Sequence, residues 1–148
     1  MTQIDPPFLI GVDGGGTGCR AAVATPDGRI LAEGKGGRAN VSTDCATAID
    51  SVLTATRNAI ESAGLDVADM PRAVAHLGLA GYTGPEMGPR VQAGLPFAKS
   101  VVTEDTTTTI VGAVGEQDCH LIALGTGTIV GRQKAGVQTC IGGWCYQV

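Results

Sequence analysis

The chain predicts an α/β domain built on a mixed sheet, followed by the first strands of a second domain. Three observations carry this. Three short apolar runs separated by turn residues open the chain, a long segment of helical spacing follows, and apolar runs then alternate with helical patterns. At 148 residues there is room for one good hydrophobic core and the opening of another. Glycine is abundant, at 23 residues, while aromatics are limited to one Trp, two Tyr and two Phe, which points to tight turns around an aliphatic core.

The elements follow in order. Phe8 to Val12 is an apolar run ended by Asp13 and three glycines, and Arg20 to Ala24 is a second run closed by Thr25-Pro26-Asp27-Gly28, a hairpin pattern. Arg29 to Glu33 reads as a third strand that ends where the glycine-rich stretch Gly34 to Gly37 begins. Ser42 or Thr43 can then cap a helix in which Ala46, Ile49, Val52, Leu53, Thr56, Ile60 and Ala63 recur at spacings of three and four, with Gly64 at its end. Arg72 to Ala80 reads as a buried strand, Pro85 to Ala93 as a short helix, Lys99 to Thr103 as a strand, and Thr106 to Val114 as a buried helix ending at Gly115. Three further runs, Leu121 to Leu124, Thr128 to Arg132 and Val137 to Ile141, open the second domain, so the division is expected at 1–117 and 118–148.

Charge and cysteine content narrow the function classes. A formal charge of -4 with no basic run gives no general attraction for nucleic acid or an acidic membrane, although backbone amides can still hold a small anion. The amino terminus lacks the basic region of a secretory signal, and no stretch approaches 18 apolar residues, so a cytoplasmic protein is expected. Cys19, Cys45, Cys119, Cys140 and Cys145 are scattered, and read as reduced thiols; Cys140 and Cys145 alone do not make a metal site. His76 lies inside an apolar strand and reads as a core histidine, and His120 is read the same way.

Chemistry concentrates in a few segments. Asp13-Gly14-Gly15-Gly16-Thr17 sits between two strands and lacks a lysine, which excludes the two glycine-rich motifs that precede a helix. A glycine hairpin can still wrap phosphate oxygens, because glycine lets the backbone approach and adopt positive φ, with Thr17 adding a hydroxyl and Asp13 serving magnesium; three glycines equally suit a plain turn. Gly125-Thr126-Gly127-Thr128 is a second such hairpin about a hundred residues on. Glu104-Asp105 follows a strand, where open α/β sheets place ligand-handling groups, so Asp105 suits either a general base or a cap of the next helix. Asn40, in a loop, can donate to and accept from sugar hydroxyls.

Gly11 to Thr17, the Asn40 loop, Glu104-Asp105, Leu124 to Thr128 and Gly142-Gly143-Trp144 together resemble the N-acetylglucosamine kinase and glucosamine kinase branch of the BadF/BadG/BcrA/BcrD ATPase family, within the actin, Hsp70 and sugar kinase superfamily. The resemblance runs the length of the chain and implies a ribonuclease H-like domain with a five-stranded sheet of order 3-2-1-4-5, helices on both faces, and ATP with magnesium held against a second domain. It implies that Asp13 to Thr17 and Gly125 to Thr128 hold phosphate, with Asp13 at the metal. Asp105 would deprotonate the sugar 6-hydroxyl, and Asn40, Gly142, Gly143 and Trp144 would lie at the sugar. A small amino sugar is the expected partner, with a homodimer compatible and no nucleic acid or membrane. After Trp144 the family's pattern is not continued by Cys145 to Val148, so these 148 residues alone are expected to show little kinase activity. Two other roles remain open: an ATPase activator of a dehydratase or CoA reductase, for which the scattered cysteines are ill suited, and a sugar- or nucleotide-binding module without turnover.

Overall fold

The computed structural model describes residues 7–124 and 128–142. The chain divides into two compact units, Met1–Asp105 and Thr106–Val148. In the first, β1 (Leu9–Gly14), β2 (Cys19–Ala24) and β3 (Ile30–Gly36) form an antiparallel meander. The chain continues through α1 (Cys45–Ser62), a 3-10 turn (Val67–Arg72), β4 (Val74–Leu79), α2 (Met87–Gln92) and β5 (Lys99–Glu104). Both β4 and β5 run parallel to β1, which gives the expected order β3-β2-β1-β4-β5. Parallel strands need crossovers, and the segments containing α1 and α2 supply them.

Alternation decides which face is covered. Ile10, Val12, Cys19, Ala21, Val23, Ala75, Leu77, Leu79 and Val102 are buried on one face, together with Val52, Ala55, Ala59 and Ile60 of α1 and Val91 of α2. Helices were expected on both faces; within Met1–Asp105, α1 and α2 share one. The opposite face carries Gly11, Asp13, Arg20, Lys35, His76 and Val101, all exposed. His76 is therefore not a core histidine: its Nε2 lies 3.1 Å from the Thr103 hydroxyl on this open face.

The glycines of β3 explain why that strand outruns its expected end at Glu33. A Cβ on Gly34 would strike the backbone of α1 at Ala55 and Ala59, and one on Gly36 would strike the Ser51 carbonyl. Missing side chains let helix and strand backbones come into contact, so these glycines continue the strand instead of breaking it. The Asn58 side-chain amide donates to the Lys35 carbonyl at 2.9 Å and secures the contact.

The N-cap of α1 falls one residue beyond Thr43 and two beyond Ser42, the caps expected. Asp44 is the N-cap, its Oδ1 accepting from the Thr47 amide at 3.0 Å and its Oδ2 from the Thr47 hydroxyl at 2.8 Å. Ser42 and Thr43 are engaged elsewhere, donating to Asn40. At the other end Gly64, at φ +71°, turns the chain out, with Leu65 N donating to Ile60 O and Gly64 N to Glu61 O, a Schellman motif. Helix α2 is shorter than the expected Pro85 to Ala93, and the 3-10 turn capped by Asp66 was not foreseen.

The second unit holds α3 (Asp105–Val114), whose first residue belongs to the first unit, and an antiparallel meander of β6 (Cys119–Leu124), β7 (Thr128–Lys134) and β8 (Val137–Gly142). Ile110 is fully buried against Gly131. Gln133, also buried, donates to the carbonyls of Gly115 and Gln117 at 2.8 and 2.9 Å and accepts from Gln138. One amide side chain thus ties the end of α3 to the meander.

Candidate phosphate and sugar site

The glycine hairpin joins β1 to β2, and its glycines differ in what they do. A Cβ on Gly14 would lie 2.7 Å from Leu79 Cδ2 and 2.8 Å from Ala39 Cβ, so packing alone requires glycine there. Gly16 has nothing within 4 Å of the same position, and Gly15 meets only the Gly18 carbonyl at 3.6 Å. None of the three has the positive φ that the sequence suggested. Bare backbone at Gly15 and Gly16 is thus not demanded by neighbours; it leaves room for a ligand to approach. The Gly15 amide is spent on Gly18 O at 2.8 Å, while those of Gly16 and Thr17 donate to no described residue.

Three segments are sewn together around this hairpin. Ala39 N donates to Gly15 O at 2.9 Å, Ala80 N to Gly14 O at 2.7 Å, and Val41 N to Ala80 O at 2.9 Å. The stitching brings Asn40 to the carboxyl ends of β1 and β4, where it forms an isolated parallel bridge with Ala80. Its Oδ1 accepts from Ser42 N at 3.1 Å, Ser42 Oγ at 2.8 Å and Thr43 N at 3.2 Å. The oxygen is consumed by the turn, so of the two expected capacities the Nδ2 donor is the one left for a ligand. Gly81, at φ +77°, is required beside it, because a side chain there would overlap Asn40 Oδ1 and Ser42.

Asp13 is the outward residue just before the hairpin, exposed and cross-strand from Arg20. Lost water raises its carboxyl pKa above the ordinary carboxylate value, the Arg20 guanidinium pulls it back, and Asp105 pushes it up again. Asp105, the first residue of α3 directly after β5, is thus near enough for its charge to be felt at Asp13. Burial pushes the neighbouring Cys19 thiol up to about 11, with Asp13 adding to the rise, so Cys19 is an inert thiol at neutral pH.

Asp13, Gly14, Gly15, Gly16, Thr17, Asn40 and Asp105 therefore converge on the carboxyl ends of β1, β4 and β5. Gly125, Thr126, Gly127, Gly143 and Trp144 lie outside the described residues; Thr128 opens β7 and Gly142 closes β8. Sequence reasoning missed Arg20 and Lys35. They line one depression of about 400 Å³ with Asp13, Gly15, Thr17 and Gly18. Register puts both on the face of Asp13, and for Lys35 the signal was hidden by ending the third strand at Glu33.

Against known proteins, the model of the BadF/BadG/BcrA/BcrD ATPase family matches residues 10–146. The chain belongs to this family. It is 36% identical over 138 residues to glucosamine kinase GspK of Vibrio cholerae serotype O1, covering 92% of this chain and 47% of that protein. A candidate N-acetylglucosamine kinase from Chromobacterium violaceum superposes with a TM-score of 0.86 at 36% identity, covering 95% of this chain and 50% of the other. A ROK family glucokinase from Streptomyces griseus, solved with glucose and AMPPNP, gives a TM-score of 0.64 at 24% identity over 89% of this chain and 46% of its own, a likeness of fold. The chain thus spans about half the length of these relatives. Among the described residues no helix is long and apolar enough to cross a membrane.

Proposed function

We propose that this chain supplies the phosphate-handling and hydroxyl-activating part of an ATP-dependent amino-sugar kinase, acting on glucosamine or N-acetylglucosamine at the 6-hydroxyl. The observation that carries the reading is the hairpin whose Gly15 and Gly16 are bare without a packing reason, set between Asp13 at the end of β1 and the Asn40 loop bonded to it. The 36% identity to a glucosamine kinase over 92% of the chain supports the sugar class.

In this reading the Gly16 and Thr17 amides and the Thr17 hydroxyl hold phosphate oxygens, as backbone concavities do elsewhere. Asp105 accepts the proton of the sugar 6-hydroxyl as the oxygen attacks the γ-phosphorus. The new O–P bond forms while the bond from γ-phosphorus to the bridging oxygen breaks, and ADP leaves with that electron pair. Asn40 donates through Nδ2 to a sugar hydroxyl. Asp13 suits magnesium, because it is exposed and lost water and Asp105 already disfavour its negative charge, and because magnesium takes one or two carboxylates and keeps several waters. Magnesium held there would neutralise phosphate charge.

The test is a pair of amide-resolved NMR titrations of the 148-residue chain, one with magnesium AMPPNP and one with glucosamine or N-acetylglucosamine. Nucleotide is expected to move the Gly16 and Thr17 signals, and sugar those of Asn40 and Asp105. A sugar that moves neither residue, together with a nucleotide that leaves the hairpin unchanged, would overturn the kinase reading.

A further inference from the structure

Asn40 is brought to the site by the backbone joint between Val41 N and Ala80 O, but the direction of its carboxamide is set by other contacts. Two of the three donors around it, Ser42 N and Thr43 N, are backbone amides that can only donate. The end they meet, at 3.1 and 3.2 Å, is therefore the oxygen, and the other end is Nδ2. The third donor is the Ser42 hydroxyl, at 2.8 Å the shortest of the three contacts. Facing an oxygen that only accepts, this hydroxyl has to donate. Asp44 caps α1 through the Thr47 amide, so Ser42 is not needed at the helix end.

Access to the carboxamide is one-sided. Gly81, at φ +77°, lies so close over the oxygen that a Cβ there would overlap both Asn40 Oδ1 and the Ser42 hydroxyl. With three donors and that backbone against it, Oδ1 has no room for a sugar. Nδ2 donates to no described residue, and the exposed Ser42 oxygen accepts from none. The last torsion of an asparagine side chain is broad and roughly two-fold, so without a lock oxygen and nitrogen would exchange places. Two backbone amides and one hydroxyl remove that alternative here, and the hydroxyl is the part of the lock that a side chain supplies.

We propose that Ser42 is a positioning residue for the acceptor sugar: its hydroxyl holds the Asn40 carboxamide so that Nδ2 is offered to a ring hydroxyl other than the one phosphorylated. The assignment rests on the kinase reading. Ser42 acts through Asn40, and its effect is one of preorganisation. The orientation is set on folding, so the sugar meets a donor already ordered instead of ordering it on binding.

The experiment titrates the 148-residue chain with N-acetylglucosamine and with its 1-, 3- and 4-deoxy forms, following backbone amides and the Asn40 side-chain amide by NMR. Ser42→Ala is expected to weaken N-acetylglucosamine binding about fivefold, and Ser42→Thr, which restores the hydroxyl, to bind within about twofold of the parent. Thr43→Ala removes a hydroxyl from the same loop but keeps the backbone amide through which Thr43 meets Asn40, and is expected to change binding less than about twofold. Melting of Ser42→Ala is expected within about 4 °C of the parent. A merely structural role would weaken all these sugars alike. Action through Asn40 makes the loss vanish for the deoxy sugar that lacks the hydroxyl taken by Nδ2, because that bond is already missing there. An equal loss with every deoxy form, no loss in Ser42→Ala, or no rescue in Ser42→Thr refutes the role of Ser42 while the sugar site stands. If no sugar shifts Asn40 or Asp105 in the parent, the sugar site fails and the role of Ser42 with it; the phosphate hairpin is then judged separately, by magnesium AMPPNP at Gly16 and Thr17.

Discussion

The Ala39 amide donates to the Gly15 carbonyl at 2.9 Å, so the loop that presents Asn40 is fastened to the glycine hairpin between β1 and β2. Gly14 stands at the middle of this joint with Leu79 and Ala39 against it, whereas Gly16 faces open space. Substituting the two should therefore separate stability from binding. Gly14→Ala is expected to cost about 1–3 kcal/mol in urea unfolding through overpacking, and Gly16→Ala less than about 0.5 kcal/mol. Nucleotide affinity should fall in Gly16→Ala despite the intact fold. Equal unfolding midpoints for the two variants would contradict the division of roles.

Asn40 offers a second separation. Asn40→Ala strips the acceptor from the Ser42 and Thr43 donors and should destabilise the chain by about 1 kcal/mol. Asn40→Asp keeps the acceptor and removes the Nδ2 donor, so it should fold normally while losing sugar affinity. Thermal melts beside sugar titrations of both variants check this.

Asp13 carries a pH signature. Its folded pKa lies above the unfolded value, so between the two the folded state binds more protons, and the charge costs stability as pH rises through that window. Asp13→Asn is expected to melt at an equal or slightly higher temperature at pH 7, with the difference vanishing in acid below the ordinary carboxylate range, while magnesium-dependent nucleotide binding is lost. A lower melting temperature for Asp13→Asn at pH 7 would mean that Arg20 outweighs desolvation.

The second unit has its own test. Gln133→Leu removes the donor shared by the Gly115 and Gln117 carbonyls, and should cost about 1–3 kcal/mol where those acceptors stay dry. Faster hydrogen exchange in β7 with unchanged protection in β1 would localise the loss.

Alternation and helical spacing made much of the architecture legible, because burial on one face leaves a period in the sequence. The strand order reached the reading through family resemblance, since pairing partners leave no such period. Glycine misled in one place: Gly34 and Gly36 look like breakers until α1 is seen resting on them. Competition misled in another, since Ser42, Thr43 and Asp44 are all good caps; the Ser42 hydroxyl and the Thr43 amide are drawn into the turn at Asn40, and Asp44 takes the Thr47 amide. His76 looked internal because its neighbours are apolar, although its own position points to the open face. At the site, Asp13, Asn40 and Asp105 were readable as residue types, while Arg20 and Lys35 required knowing which strands lie side by side.

The joints among Gly14, Gly15, Ala39, Val41 and Ala80 are made by amides and carbonyls, groups that every residue except proline carries in full. The joints themselves depend on backbone geometry, while Gly14 must stay without a side chain because Leu79 and Ala39 pack against it. Exposed side chains of the Asn40 loop can therefore change without re-siting the hairpin to which the loop's backbone is bonded.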